Sequence, residues 1–501
     1  MADHTLQVET ASTELGHQAA AGLSRWPVIL LGLVLAVCWY GYLVAAGTLE
    51  PFTPEKYGLT FNSMLLHMLH GRFDVDPAII DDEGYVRDGA VYAYFGIFPA
   101  LFRALFLPLH DFAALGFSRI GCLTAAALIA LCKTLSVLLM WRRAGAPRGS
   151  PLLTVMLALV LITGAPLQFL RPSIFQEAVL WAGAFAAAFV YLVLRGWSSE
   201  NGFTPRLLSA MAAVAGLCLL SRVSTALGLY LALGLICLRL AWADLRSGDR
   251  GRMLQRLRQF LWPILILGSF VVVTFFINWE RWGNPLVFVD LSRSLKTVRE
   301  FTDRFERERL YGEFNPIRVG YGLLYYFTPA WIFRDGSGQF LWQGFASRTL
   351  DSAELPPAGF LVTDPLLLGL AVYGMVRLIR DRALPGRSLI GLTGFGLSVP
   401  GLLMLMAIHM TFRYRMEFYP LFELFGFIGF GCIAAAAARR RGVGRLSAKA
   451  TEGVVAMAAL WSIVIAHGLW LIYAVSPLGP AWMEMHGAGV VEFYRASAIG
   501  F

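Results

Sequence analysis

Apolar residues in this chain gather into runs that, as helices of roughly 20 residues, reach across the hydrocarbon of a bilayer. Eleven such runs lie at 26–47, 112–141, 151–168, 178–194, 206–221, 223–241, 260–278, 360–379, 388–410, 418–438 and 453–475. The joints between them alternate in character. Every second joint is rich in arginine: Arg142, Arg143 and Arg148; Arg195 and Arg206; Arg239, Arg246, Arg250, Arg252, Arg256 and Arg258; Arg377, Arg380, Arg382 and Arg387; then Arg439, Arg440, Arg441, Arg445 and Lys449. Positively charged loops resist translocation, so these five clusters belong on the cytoplasmic side. Threading eleven spans in that sense leaves the N-terminus in the cytoplasm and the C-terminus outside. Residues 1–25 read as a disordered polar tail, 26–475 as one membrane domain, and 476–501 as a tail on the translocated side.

Composition agrees with the pattern. With 57% hydrophobic residues, 15% charged residues and a mean hydropathy of +0.61 over 501 residues, the chain is too apolar for a soluble multidomain protein. The expected fold is all-α and polytopic, with about 11 spans and two long outer loops holding interfacial helices. The formal charge of +9 is mostly a topology signal. No basic cluster is interleaved with stacking aromatics as a nucleic-acid surface would be. All six cysteines fall inside apolar runs without metal-ligand spacing, and there is no P-loop, HExxH or GxGxxG on a strand-to-helix turn.

Chemistry-bearing residues concentrate on the translocated side. The first outer loop, 48–111, carries nine acidic residues, among them Glu55, Asp74 and Asp76. Tyr57–Leu69 reads as an amphipathic helix on the interface, ended by Gly71. Beyond it the extended piece Phe73-Asp74-Val75-Asp76-Pro77 sends both aspartates to one side, a pair able to hold a sugar hydroxyl or a divalent cation. A solvated acidic loop is the plain alternative. The stretch Tyr92-Ala93-Tyr94-Phe95 is an aromatic belt or, through Tyr94, the lining of a sugar or lipid head-group site.

Three short outer joints place charge at the membrane boundary: Arg171 to Glu177, Ser221-Arg222, and His409-Met410-Thr411-Phe412-Arg413-Tyr414-Arg415-Met416-Glu417. Ordinary snorkelling explains any one of them; together they suit a ligand bearing a phosphate and several hydroxyls. The second long outer loop, 279–359, begins Trp279-Glu280-Arg281-Trp282-Gly283-Asn284-Pro285 and continues through a charge-rich helical piece, 291–309. Its aromatic run 321–333 is too short to span and reads as interfacial or re-entrant.

This layout resembles the GT-C superfamily of integral membrane glycosyltransferases, which take sugars from polyprenyl-phosphate carriers and include protein mannosyltransferases and the aminoarabinose transferases of lipid A. Glu55-Lys56-Tyr57 followed by Leu65 to Gly71 is similar to the family's acidic-x-Tyr, helix, Gly pattern, and the 279–285 peptide to its Arg-aromatic-Gly-x-Pro element. Pro54-Glu55 stands where the family often has an Asp-Glu pair. The resemblance implies a bacterial inner-membrane enzyme passing a sugar to an envelope lipid, polysaccharide or protein, with inversion at the anomeric carbon. A carboxylate base and cations on the departing phosphate are then required. Glu55 or Asp76 is the candidate base. Asp74, Tyr94, Glu177 and Tyr414 are candidates for binding sugar or acceptor, and Arg171, Arg222, Arg413 and Arg415 for the phosphate. A metal, if one is used, falls to Asp74 and Asp76. An O-antigen polymerase or ligase, and a lipid-linked sugar flippase, are the competing functions.

Overall fold

The computed structural model describes residues 26–475 apart from 148–149, 165–169, 247, 249, 297–301, 330–335, 337–341, 354–358, 383 and 440–444. Both tails, 1–25 and 476–501, lie outside the described residues. Each of the eleven apolar runs contains a helix: α1 (Trp26–Val44), α5 (Ser118–Arg143), α6 (Pro151–Thr163), α7 (Ile174–Ser198), α8 (Pro205–Leu219), α9 (Val223–Arg246), α10 (Arg250–Trp282), α15 (Pro365–Arg380), α16 (Arg387–Met406), α17 (Tyr419–Arg439) and α18 (Arg445–Val475). Among the described residues eight helices are long and apolar enough to cross a membrane. The other three, α6, α8 and α15, have 13, 15 and 16 residues. The protein is therefore a multi-pass, all-α membrane protein.

Local sequence sets the helix starts. Ser150-Pro151, Ser173 and Thr204-Pro205 supply side-chain caps for α6, α7 and α8, accepting from the amides of Leu152, Gln176 and Leu207. Packing between the helices relies on small residues, as it must where lipid removes the hydrophobic drive between helices. A Cβ on Gly374 of α15 would sit 2.1 Å from the Phe425 carbonyl oxygen of α17, and one on Gly429 would sit 2.1 Å from that of Leu370, so these two helices touch backbone to backbone.

The arginine-bearing ends meet at one end of the bundle. Arg143 donates to the Trp197 carbonyl at 3.0 Å, Trp197 to that of Pro385 at 2.8 Å, and Arg239 to the Ser388 hydroxyl at 2.9 Å. At the opposite end lie the two long loops. The first contains α2 (Thr60–Leu69), the one-turn α3 (Pro77–Ile80), and a hairpin of β1 (Tyr85–Arg87) and β2 (Ala90–Tyr92). It closes with α4 (Phe98–Arg103). Asp88 and Gly89 both have positive φ, the two-residue turn whose twist suits a hairpin.

The second long loop holds α11 (Thr302–Tyr311), α12 (Val319–Phe327), α13 (Gln343–Thr349), β3 (Ser352–Ala353) and, past its end, the one-turn α14 (Phe360–Thr363). The two loops are fastened together. Tyr85 bridges to Ser294, the Leu295 amide donates to the Gly84 carbonyl at 2.9 Å, and Lys296 pairs with Asp82 and Glu83 at 3.5 and 3.4 Å.

Two loop elements differ from the sequence reading. Helix α2 begins at Thr60, and Thr60 through Leu65 are buried in protein, so its inner half is core and not a surface lying on lipid. Asn62 explains the pull inward: its amide donates to the carbonyls of Phe112 and Leu115 and its oxygen accepts from Arg103. In the aromatic run, α12 has nine residues and packs against α16, with the Tyr325 hydroxyl donating to the Met410 carbonyl. Nine residues are too few for one helix to cross the hydrocarbon, and residues 330–333 of the run lie outside the described residues. The charge-rich piece holds a short 3-10 turn, Leu291–Arg293, and α11, separated by 297–301, which lie outside the described residues.

Candidate functional site

A cavity of about 210 Å³ opens at the loop end of the bundle. Its wall is assembled from termini of spanning helices: the start of α7, the joint between α8 and α9, the last turns of α10, and the end of α16 with the segment after it. Although α8 has only 15 residues, it runs back beside α7 and delivers the joint 220–222 to this wall. Bound against that joint is the first loop. Phe98 donates its amide to the Leu220 carbonyl at 2.8 Å, and a Cβ on Gly96 would lie 2.2 Å from the same oxygen, so only glycine allows the chain this close.

Four sequence candidates meet here: Tyr94, Arg222, Arg413 and Tyr414. Arg222 pairs with the fully buried Glu417 carboxylate, which also accepts from Ser224 and Thr225, each at 2.6 Å. The Arg222 guanidinium lies 4.5 Å from the Tyr414 ring centroid, and Arg413 lies 4.8 Å from that of Phe175 and 5.4 Å from that of Tyr414. Burial raises the Tyr94 phenol well above its ordinary range, so it presents a hydroxyl and not a phenolate.

The 3-10 segment Phe412–Phe418 carries Arg413 and Tyr414, and it is clamped from both sides by Glu417 on Arg222 and by Arg415 on Asp364. Arg415 is buried and does not line the cavity; it pairs with Asp364 at 3.1 Å, donates to Thr363, and covers the Phe360 ring at 4.1 Å. Its neighbour in sequence faces the ligand space while it faces α14 and α15.

The other candidates are elsewhere. Glu177 is fully buried in a two-pronged pair with Arg103, 2.7 and 2.8 Å, and Arg103 also donates to Asn62, the Pro99 carbonyl and Ser118. Arg171 does not line the cavity; its carbonyl accepts from the Cys122 thiol at 3.3 Å. Glu55 pairs at 2.8 Å with Arg119 at the start of α5. Asp74 is buried between Arg72 and His67; burial favours its neutral form, but those two partners hold its carboxyl below the usual carboxylate range. Asp76 is exposed and caps α3 through the Ala78 amide. The two aspartates therefore do not share a ligand, and among the described residues no three His, Cys, Asp or Glu side chains converge as metal ligands.

Four groups in or behind the cavity wall escaped selection from sequence. Arg281, quoted only within the 279–285 peptide, is 3% exposed and lines the cavity. It donates to the Phe95 carbonyl at 2.9 Å, yet its Nε has no hydrogen-bond partner and no carboxylate pairs with it among the described residues. Glu313 and His409 also line the cavity. Glu313 is an exposed residue, yet partial burial of its carboxyl raises it above the ordinary range against the pull of His409. His409 Nδ1 stands 2.8 Å from Asp351, whose carboxylate is fully buried and also pairs with Arg304 at 2.9 Å. Burial would favour a neutral Asp351; His409, Arg304 and Arg307 outweigh it and keep the carboxylate ionised.

Backbone pairing fixes these three residues. β4 (His409–Met410) lies parallel to β3, the Ile408 amide donates to the Glu313 carbonyl at 2.8 Å, and Phe314 bridges to Ala407. Residues 95 apart in sequence thus share one small patch of sheet.

No protein-family model and no curated protein matches the sequence. Among solved structures, the chain is similar to the oligosaccharyltransferase of Archaeoglobus fulgidus in the apo form, at TM-score 0.48 and 13% identity, covering 92% of this chain and 60% of that one. The archaeal oligosaccharyltransferase AglB from the same organism, in complex with an inhibitory peptide and a dolichol-phosphate, gives TM-score 0.47, 16% identity and coverages of 92% and 60%. ArnT from Cupriavidus metallidurans in the apo state gives 0.41, 13%, 93% and 78%. The chain spans about 60% of the length of the Archaeoglobus fulgidus protein. At these scores the backbones diverge too far to carry roles from one protein to the other, residue by residue.

Proposed function

We propose that this protein is a membrane glycosyltransferase that moves a sugar from a polyprenyl-phosphate donor to a hydroxyl of a cell-envelope glycan, lipid or protein. The reaction takes place on the face opposite the arginine-rich helix ends, which the positive-inside rule makes the extracytoplasmic one. The observation that carries the reading is Arg281. A buried guanidinium whose charge no carboxylate offsets is costly, and an anion entering the cavity beside Arg413 and Arg222 relieves that cost. A phosphate with an apolar tail satisfies both the charge and the position of the cavity at the membrane boundary.

Around that phosphate the remaining groups fit sugar transfer. Tyr94, Tyr414 and Asn278 offer hydrogen bonds and flat faces to a sugar. Glu313 is the base in this reading, because it lines the cavity and burial raises its proton affinity, in the direction a general base needs. Glu55 and Asp76 are the rival bases from the sequence pattern; one is held by Arg119 and the other caps α3. Loss of a positioned base costs about 10² to 10⁴ in rate.

The test uses the purified full chain in lipid vesicles with a panel of radiolabelled polyprenyl-phosphate sugars and envelope extract as acceptor. The reading expects release of polyprenyl phosphate with one donor, loss of that release in Glu313→Gln, and near-normal rates in Glu55→Gln and Asp76→Asn. Loss in Glu55→Gln with an active Glu313→Gln moves the base to the first loop. Donor that crosses the vesicle bilayer uncleaved makes the protein a transporter, and use of diphosphate-linked oligosaccharides alone makes it a polymerase or ligase.

A further inference from the structure

The pair formed by Asp351 and His409 has no part in binding a sugar or accepting the acceptor's proton. Its geometry is nevertheless that of a proton carrier. The buried Asp351 carboxylate stands 2.8 Å behind Nδ1, as the carboxylate of a catalytic triad stands behind its histidine, while the ring itself lines the cavity. The pair is firmly held. β3 and β4 hold the two backbones in register, Arg304 braces the carboxylate, and Arg307 donates to the carbonyls of Leu350 and Asp351 at 2.6 and 3.2 Å.

We infer that His409, held by Asp351, serves the departing phosphate: as an imidazolium it grips a phosphate oxygen and hands it a proton as the bond to the sugar breaks. This rests on the glycosyl-transfer reading and deepens it. In the balanced step the acceptor oxygen forms its bond to the anomeric carbon and its proton passes to Glu313. The bond between that carbon and the phosphate oxygen breaks with its electron pair left on oxygen, and the His409 proton moves there. The products are the glycoside and the protonated polyprenyl phosphate; solvent later reprotonates His409 and takes the proton from Glu313.

The surrounding charges are mixed. Asp351, Glu313 and the half-buried Glu308 act on His409 from the α11 and β3 side, Arg304 and Arg307 stand behind Asp351, and Arg222, Arg281 and Arg413 line the cavity. An entering phosphate adds a further negative charge beside the ring.

Equilibrium binding of undecaprenyl phosphate to the full chain in nanodiscs tests the assignment without knowledge of the sugar. The ligand's own second ionisation is common to wild type and variants, so their ratio isolates the protein. Wild type should bind about tenfold more tightly than His409→Gln near pH 6, with the ratio falling toward one near pH 8.5 as the imidazolium is lost. Asp351→Asn should move the fall to lower pH, a shift that mere loss of packing does not produce, and Arg413→Gln should weaken binding at every pH. A ratio that is constant with pH overturns the role of His409. Failure of wild type to bind at any pH overturns instead the glycosyl-transfer reading beneath it. Should His409→Gln not fold, His409→Asn and Asp351→Asn answer the same question.

Discussion

Arg103 and Arg281 are equally buried arginines about 180 residues apart, and their surroundings differ in one respect that separates structure from function. Arg103 is saturated by protein: both prongs of its guanidinium meet Glu177, and Asn62, Ser118 and the Pro99 carbonyl take the rest. Even Gly121 serves this pair, since a Cβ there would fall 2.2 Å from a Glu177 oxygen. Arg281 has a carbonyl, a thioether and an empty Nε. A buried charge closed by its own chain holds loops to helices; one left open is, in the proposed function, where the donor phosphate binds.

The comparison breaks or holds first on stability. Glu177→Gln leaves the Arg103 charge uncompensated in a fully buried place and should cost about 3 to 5 kcal/mol, read as a large fall in Tm in detergent. Arg281→Met should stay within about 1 kcal/mol of wild type, since it removes one hydrogen bond to a carbonyl and a weak one to a thioether. Equal losses would erase the distinction.

Activity should reverse the order. Arg281→Met and Arg413→Gln are expected to lower sugar transfer by about 10² to 10³, the usual loss when one preorganised cationic donor is removed. Matched protein levels and a normal Tm must accompany that loss.

A third measurement sharpens the cavity side through pH. A base acts deprotonated, and the Glu313 proton affinity is raised. Transfer should therefore fall, about tenfold per unit, as pH drops through that raised value, on a limb lying above the ordinary carboxylate range of about 4.3. Glu313→Gln should lose the limb along with most of the rate. A limb that persists in the residual activity of that variant assigns it to another group.

Asp76→Asn is expected to give the smallest effect, within about 0.5 kcal/mol in stability and about twofold in transfer, because asparagine caps a helix as well as aspartate does. A large loss there would return the base to the first loop.

These contrasts also mark how far the sequence reached. The run lengths located a helix in every apolar run, eight of them long enough to cross a membrane among the described residues, and the arginine joints located one end of the bundle, because both signals are local. Arg222, Arg413, Tyr414 and Tyr94 were legible because each stands at a membrane boundary where charge or aromatics are costly or placed. Arg415 and Glu177 have the same appearance but sit in buried ion pairs away from the cavity; their partners Asp364 and Arg103 lie 51 and 74 residues away and give no local sign. The hairpin had a readable signal in Asp88-Gly89 between alternating residues.

By itself the sequence determined that the protein is helical and multi-pass, since periodicity and run length act residue by residue against a bilayer. Tertiary structure decided which charges are spent. Glu313, Asp351 and His409 come from a charge-rich loop and a span end, and short-range patterning cannot bring them together. The pairing of β3 with β4 and the bridge from Phe314 to Ala407 do so. Whether a buried arginine is neutralised within the chain or left for a ligand depends on distances of about 3 Å between distant segments, and only the folded chain sets those.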